Sequence, residues 1–241
     1  MGVEYDYSQN THTVDGPRTA LPLILEEAKP RSLLDVGCGL GTWMKAALEF
    51  GVQDVFGVDG VGVEARKLLV AENLFHQCDL TKPWSLGRRF EAALCLEVAE
   101  HLEEAAATSL VDSLIAHSDV IYFSAACPGQ PGQHHVNCQW PGYWQNIFNE
   151  RGYVCSDAIR WKIWSNKSVE CWYRQNLFTA RKNAAQAGKE ARIPAVLHPE
   201  VSEMIIRRAA VERIEDGRMS VGWYAGIPFL AMKNKLARRL S

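Results

Sequence analysis

The sequence predicts an α/β fold: a doubly wound, mostly parallel sheet of seven strands, with helices on both faces and a C-terminal helical extension. Three observations predict it. Short apolar runs alternate with stretches of helical periodicity from residue 31 to about 180. The first such run, Leu33-Leu34-Asp35-Val36, leads straight into Gly37-Cys38-Gly39-Leu40-Gly41-Thr42, a glycine-rich turn opening a helix. Three later strands each end on an acid, Asp59, Asp79 and Glu97, which puts carboxylates along the sheet edge where such folds bind ligands.

The elements follow in order. Residues 1–30 read as a lead-in or lid with a helix over 22–29, which Pro30 stops. The first strand begins near Ser32, and a helix covers Thr42–Phe50. A second strand over 54–58 ends at Asp59-Gly60, and residues 63–72 read as helix. Phe75–Gln77 is a short third strand ending at Cys78-Asp79-Leu80, and 91–96 is a fourth, running into Glu97-Val98-Ala99-Glu100-His101. A helix over 108–117 precedes a fifth strand, Val120–Ser124. After a Pro/Gly-rich loop at 127–133 come a helix at 143–151 and strand-like runs at 153–160 and 171–180. Residues 183–190 look like a linker, so the predicted catalytic domain is 31–182 and the extension 183–241. The extension holds a helix, Pro199–Glu215, an apolar run at 223–232 and a basic helical end.

Composition narrows the classes. A hydrophobic content of 47% is ample for a core, and 22% charged residues is ordinary for a folded domain. With 26 basic and 28 acidic residues the net charge is −2, which argues against an extended nucleic-acid surface. The seven cysteines are odd in number and none has C-x-x-C spacing, so neither a disulfide framework nor a thiolate zinc site is expected. A reducing, cytoplasmic setting fits them best. The first residues are polar and acidic, unlike a signal peptide, and no apolar run is long enough to span a bilayer, so no membrane partner is expected. A homodimer is left open.

The glycine turn discriminates among nucleotide ligands. Backbone without Cβ lets a ligand lie close, and the amides at the helix start point at it. A dinucleotide fingerprint would space its glycines G-x-G-x-x-G/A, but Thr42 stands at the third position. Asp35 before the turn would repel a pyrophosphate and suits a cationic amino-acid end instead. No G-K-[ST] follows, which excludes a phosphate-binding P-loop. Asp59 falls where doubly wound folds bond ribose hydroxyls, although Asp-Gly is also a common turn pair.

These residues resemble a known family. The runs LLDVGCGLGTW (33–43), GVDG (57–60), CDL (78–80) and CLEVAEHL (95–102) are similar to those of class I S-adenosylmethionine (SAM)-dependent methyltransferases, over roughly residues 31–180. The resemblance implies a Rossmann-like domain. It implies SAM contacts from Asp35, Gly37, Cys38, Gly39, Gly41, Asp59, Gly60, Asp79, Leu80 and Glu97, with Asp79 near the adenine. An N-cap before Leu80-Thr81 is the plainer role for Asp79.

A second cluster concerns chemistry. Glu97, Glu100 and His101 are spaced i, i+3, i+4 and share a face if the turn is helical. Two carboxylates and an imidazole suit Mg²⁺, Mn²⁺ or a similar cation better than structural zinc. The segment resembles that of ubiquinone-type O-methyltransferases and the E-x-x-E-H run of small-RNA 2′-O-methyltransferases, where a downstream His completes a metal site. His134 and His135 are the two candidates here. The block 124–137 also resembles a loop of bacterial glycan and secondary-metabolite methyltransferases, with His135-Val136-Asn137 as its His-Val-Asn unit. A metal-free base at His135 or His101, and a simple packing role for the cluster, stay open beside the metal.

The aromatic residues Trp140, Trp144, Trp161, Trp164, Trp172 and Tyr173 read mostly as core, with Trp140 as the exception that could face an acceptor. Arg160, Arg174, Gln175 and Asn176 are further polar candidates. The resulting expectation is methyl transfer to a hydroxyl of a small polar acceptor, a sugar or natural-product intermediate. The alternatives are N-methylation, RNA 2′-O-methylation and a silent SAM-binding scaffold.

Overall fold

A computed structural model of the chain describes residues 5–7, 13–26 and 28–237. Most of the expected lead-in before residue 13, and Arg238 and Arg239 of the expected basic end, lie outside the described residues. The first compact unit runs through Val201 and the second begins at Ser202.

The first unit is built on a seven-stranded sheet. Its strands are β1 (Ser32–Val36), β2 (Asp54–Asp59), β3 (Phe75–Gln77), β4 (Ala92–Leu96), β5 (Val120–Ser124), β6 (Tyr153–Ser156) and β7 (Phe178–Lys182). Their spatial order is β3-β2-β1-β4-β5-β7-β6. β7 runs antiparallel to both of its neighbours, and the other pairs are parallel. The order reverses between β1 and β4, which opens the crevice where such sheets bind ligands. The central strands β1 and β4 are apolar almost throughout because both sheet faces are covered.

Strand alternation splits the core in two. Leu34, Val36, Ala93, Cys95, Ile121 and Phe123 face a layer that contains Trp144 and Phe148. Leu33, Ala92, Leu94, Leu96 and Tyr122 face the opposite layer with Leu21, Leu25, Trp43 and Met44. The first layer's helices are α3 (Ala107–His117) and α4 (Pro141–Asn149), the latter opening on Pro141, where a missing N–H costs nothing. The second layer uses α1 (Asp15–Leu25), α2 (Thr42–Phe50), α5 (Ala158–Ile163) and α6 (Cys171–Asn176).

Four local expectations are corrected. The first helix lies at Asp15–Leu25, not 22–29, and Pro22 sits inside it. Its buried stripe, which includes Gly16, Ala20, Leu21, Ile24 and Leu25, outweighs the backbone bond that Pro22 forgoes. Residues 63–72 form no α-helix: only 3₁₀ turns at Ala65–Lys67 and Glu72–Leu74 appear. The Leu69 amide instead donates to the Leu40 carbonyl (2.9 Å), drawing this segment along the glycine turn. The run 153–160 is strand only to Ser156, because Asp157 pairs with Arg160 in a new helical turn. The run 171–180 begins as α6, whose polar residues are bonded internally, and becomes strand at Phe178.

Residues 183–201 extend the first unit rather than hanging from it. Glu190 Oε1 accepts from the Cys155 amide (3.0 Å) and from Asn149, and Ile193 is buried. Arg174, buried, donates to Glu200 Oε2 (2.6 Å) at the start of α7 (Pro199–Glu215). The second unit continues α7 and contains α8 (Val221–Ala237). There the Tyr224 hydroxyl donates to the Ile214 carbonyl (2.6 Å).

Candidate active site

The turn after β1 is held from β2. The Gly37 and Cys38 amides both donate to the Val58 carbonyl, at 2.8 and 3.1 Å. Gly37 has φ +75°, and a Cβ there would stand 2.2 Å from Val98, so both conformation and space demand glycine. Cys38 is buried, and its thiol is pushed up by burial and by the nearby carboxylates, as suits a packing residue. Gly41, also at positive φ, precedes the first residue of α2.

Asp59, 4% exposed, is the organising acid. Its Oδ2 accepts from the Gly39 amide (2.8 Å) and its Oδ1 from the Val61 amide (2.8 Å). Burial still raises its pKa despite those donors. Gly60 follows at the same edge, and its carbonyl accepts from Gln77 (3.4 Å). Asp79 differs: it is exposed, bonds Thr81 and pairs with Lys82 (2.8 Å), which holds its carboxyl down to about 2. Its side chain therefore closes its own turn, while the neighbouring Leu80 is buried.

Asp35 lies beneath the turn, 3% exposed, and its Oδ2 has no hydrogen-bond partner. Burial, then the charge of Asp59, pushes it up to about 8. In the unfolded chain it titrates near ~3.9. Between those values the folded protein keeps a proton that the unfolded chain has lost, so this group makes stability fall as pH rises. His101, held down to about 4, acts oppositely up to about pH 6.5. We expect the melting temperature of the ligand-free protein to fall from about pH 6.5 to 8, and Asp35→Asn to flatten that slope. Equal slopes in the two proteins, read by calorimetry, would refute this.

The second cluster follows β4. Glu97 is a non-glycine residue at φ +56°, a strained conformation of the kind that gathers at functional sites. The strain turns its carboxylate inward, where Oε2 accepts from Gln130 (2.7 Å) and Oε1 from Asn176 (3.1 Å). Glu97 is therefore not on one helical face with Glu100 and His101, as the spacing suggested. Those two lie on the 3₁₀ turn Ala99–His101.

Glu100 is fully buried beside the Glu97 carboxyl and the Ala126 backbone, and neither of its oxygens closes a well-formed hydrogen bond. Burial and the adjacent Glu97 charge push its pKa well above the carboxylate range. Its carbonyl accepts from the Val136 and Asn137 amides (2.9 and 3.1 Å), which pins the HHVN loop over the turn. His135 Nε2 stands 4.0 Å from Glu100 Oε1, and its ring lies 5.0 Å from that of His101. Gly132 leaves room for this imidazole, since a Cβ there would fall 2.0 Å from Nε2. His134 is exposed, so of the two candidates His135 is the one brought to the cluster.

Glu100, His101 and His135 offer ligand atoms that all lie within 4.8 Å of one another, and Glu97 is not in that group. The donor set fits a divalent cation. His135 Nδ1 is engaged with the Gln130 carbonyl (2.9 Å), which leaves Nε2 for a ligand. His101 Nδ1 is buried without a partner. Burial lowers the pKa of both imidazoles, so both are neutral near pH 7.

Several residues take roles the sequence did not reveal. The Tyr7 hydroxyl hydrogen-bonds Asp59, and its ring carbon stands 3.0 Å from where a Cβ on Gly39 would be. Tyr5 meets the His101 ring at 5.1 Å, edge-on. The Asp6 amide donates to Gln133 Oε1 and the Gln133 amide group donates back to the Asp6 carbonyl, both at 3.1 Å. A Tyr-x-Tyr pair in a polar lead-in was the available signal. Asn176 and Gln130 act as carboxylate holders. Arg160, Arg174 and Gln175 are buried in internal bonds, to Asp157, to Glu200 and to the Val196 carbonyl. Of the aromatics, Trp144 is core, Trp161 is exposed and Trp140 is half-buried before α4.

Residues 11–156 match the family model described as a methyltransferase domain. Among solved structures, the chain is similar to the methyltransferase domain of bacterial CtHen1-C, with 13% identity, 71% of this chain and 100% of that chain covered, and a TM-score of 0.53. It is likewise similar to DesVI of Streptomyces venezuelae, with 16% identity, coverage of 70% and 92%, and a TM-score of 0.53. At these identities the likeness is one of fold. No curated protein matches the chain in sequence. The chain belongs to the methyltransferase-domain family, in the class I SAM-dependent group with its seven-stranded sheet. It is accordingly a methyltransferase, and SAM is its cofactor.

Proposed function

We propose that this enzyme methylates a hydroxyl of a small polar acceptor, a sugar or a natural-product intermediate, beside the cluster Glu100, His101 and His135. The observation that carries the reading is a fully buried carboxyl group whose oxygens close no well-formed hydrogen bond, facing two neutral imidazoles. An amine acceptor loses its proton more readily than a hydroxyl, which needs a base or a metal to lose it.

The donor side of the reading uses the glycine turn. Gly37, Cys38, Gly39 and Gly41 form the floor, and Asp59 with Gly60 receives the ribose. Asp35 faces the cationic amino-acid end, and Glu97 stands between donor and acceptor. Asp79 and Leu80 border the adenine. Transfer itself is a displacement: an acceptor oxygen lone pair forms the new C–O bond, the C–S bond breaks, and its electron pair stays on sulfur as a thioether. The acceptor proton goes to His135 Nε2, whose Nδ1 is held by the Gln130 carbonyl. Mg²⁺ or Mn²⁺ held by Glu100, His101 and His135 would occupy that Nε2 instead and supply Lewis acidity toward the acceptor hydroxyl, whose proton would then leave to solvent.

One experiment tests the reading and separates metal from base. S-adenosylhomocysteine release is measured over a panel of hydroxyl and amine acceptors, with and without excess EDTA. Turnover on a hydroxyl acceptor, abolished by EDTA and restored by Mg²⁺ or Mn²⁺, is the expected result. Turnover confined to amines would overturn O-methylation. Undiminished turnover in EDTA would leave His135 as a metal-free base.

A further inference from the structure

The second unit contains α8, a helix unlike the other described helices. From Val221 to Met232, α8 carries no charged residue. Its apolar side chains are nevertheless exposed: Val221 at 86%, Phe229 at 72%, Leu230 at 59% and Met232 at 58%, with Trp223 and Ile227 also uncovered. At 100° per residue these positions fall around the whole circumference, so no single stripe would seat the helix on a protein core. A helix apolar all round belongs in a core or in lipid.

Its length and charge select between them. A helix of 17 residues rises about 26 Å, short of the ~30 Å hydrocarbon layer. None of the described helices is long and apolar enough to cross a membrane. The uncharged stretch runs directly into Lys233, Lys235, Arg238 and Arg239, and no acidic residue follows Asp216. In a chain with a net charge of −2, the sequence after Asp216 thus carries only basic charges, and four of them follow the exposed apolar stretch directly. Trp223, exposed at the other end, is a residue type that settles at a lipid–water boundary.

We propose that α8 docks the enzyme on the surface of an anionic lipid bilayer, with Phe229, Leu230 and Met232 among the acyl chains and the basic cluster against lipid phosphates or carboxylates. Being apolar on every side from Val221 to Met232, the helix sinks below the headgroups along its length, with its two ends at the boundary, and does not span the bilayer. Docking would place the methyltransferase near acceptors that are themselves held at a membrane.

The test is co-sedimentation of the full chain with vesicles of phosphatidylcholine alone or of phosphatidylcholine mixed with phosphatidylglycerol. The expected result is binding at least ~10-fold tighter to the anionic vesicles, weakened by high salt. The double variant Phe229→Glu/Leu230→Glu loses it, and Lys233→Glu/Lys235→Glu loses the preference for anionic lipid. Both variants keep wild-type S-adenosylhomocysteine binding, which shows that the first unit is folded. Wild-type protein remaining in the supernatant with both vesicles would overturn the proposal. So would equal binding to neutral vesicles, or a dimer in sedimentation velocity that the Phe229→Glu/Leu230→Glu variant dissolves without any vesicle binding.

Discussion

Replacing Glu100 by glutamine is expected to lower methyl transfer at least ~100-fold while leaving the melting temperature close to that of the wild type. The two halves of this result come from the same geometry. Glu100 is fully buried, and burial with the adjacent Glu97 charge pushes its pKa up, which favours its uncharged form in the ligand-free protein. Glutamine keeps the shape and is uncharged, so the fold loses little. What disappears is the ability to become a carboxylate when a cation or an acceptor proton needs one. Mn²⁺ binding, followed by electron paramagnetic resonance, should disappear with activity. A Glu100→Gln enzyme with wild-type turnover would sink the assignment, and a variant that simply unfolds would point to a packing role.

Asp59→Ala is the second large effect, and it acts on the donor. Two backbone amides, at Gly39 and Val61, donate to this one carboxylate at 2.8 Å each. A hydrogen bond to a charged group contributes about 1.5–3 kcal/mol, and the stranded Gly39 amide adds a desolvation penalty. The glycine turn therefore loses its shape as well as the proposed ribose acceptor. S-adenosylhomocysteine affinity is expected to fall at least ~100-fold by isothermal titration. Asp79→Ala is the contrast: its exposed side chain bonds only Thr81 and Lys82, so affinity should fall less than ~10-fold. Equal losses at the two positions would mean that Asp59 has no special place.

The fold was legible where local chemistry and sheet burial agree. Leu33–Val36 had to be a central strand because it is apolar except for Asp35 and buried on both faces, and the turn after it had to be Gly-rich because its glycines have positive φ and Val98 crowds Gly37. Reading failed where tertiary contacts override composition. Cys171-Trp172-Tyr173 is β-like by residue type, yet it opens α6, which sends Asn176 to Glu97. Residues 63–72 look helical, yet Leu69 is tied to Leu40. In the candidate site, the cluster around His101 was legible because Glu100 and His101 are adjacent and the HHVN loop follows the next strand. The ways in which Glu97 differs from them were not. Its positive φ and its two amide holders depend on residues 33 and 79 positions away, a separation no local pattern records.

The short segment Tyr5–Tyr7 touches both halves of the site: Tyr7 bonds Asp59, Tyr5 meets His101, and Asp6 pairs with Gln133 beside the HHVN loop. With the ribose on Asp59, as proposed, the donor does not settle into a vacancy. It exchanges one hydroxyl for another on the same carboxylate, so the measured donor affinity is the intrinsic one reduced by the fraction of molecules in which Tyr7 still holds its place. Tyr5, two residues away, lies against His101, so a donor that displaces Tyr7 also acts on the segment that borders the acceptor cluster.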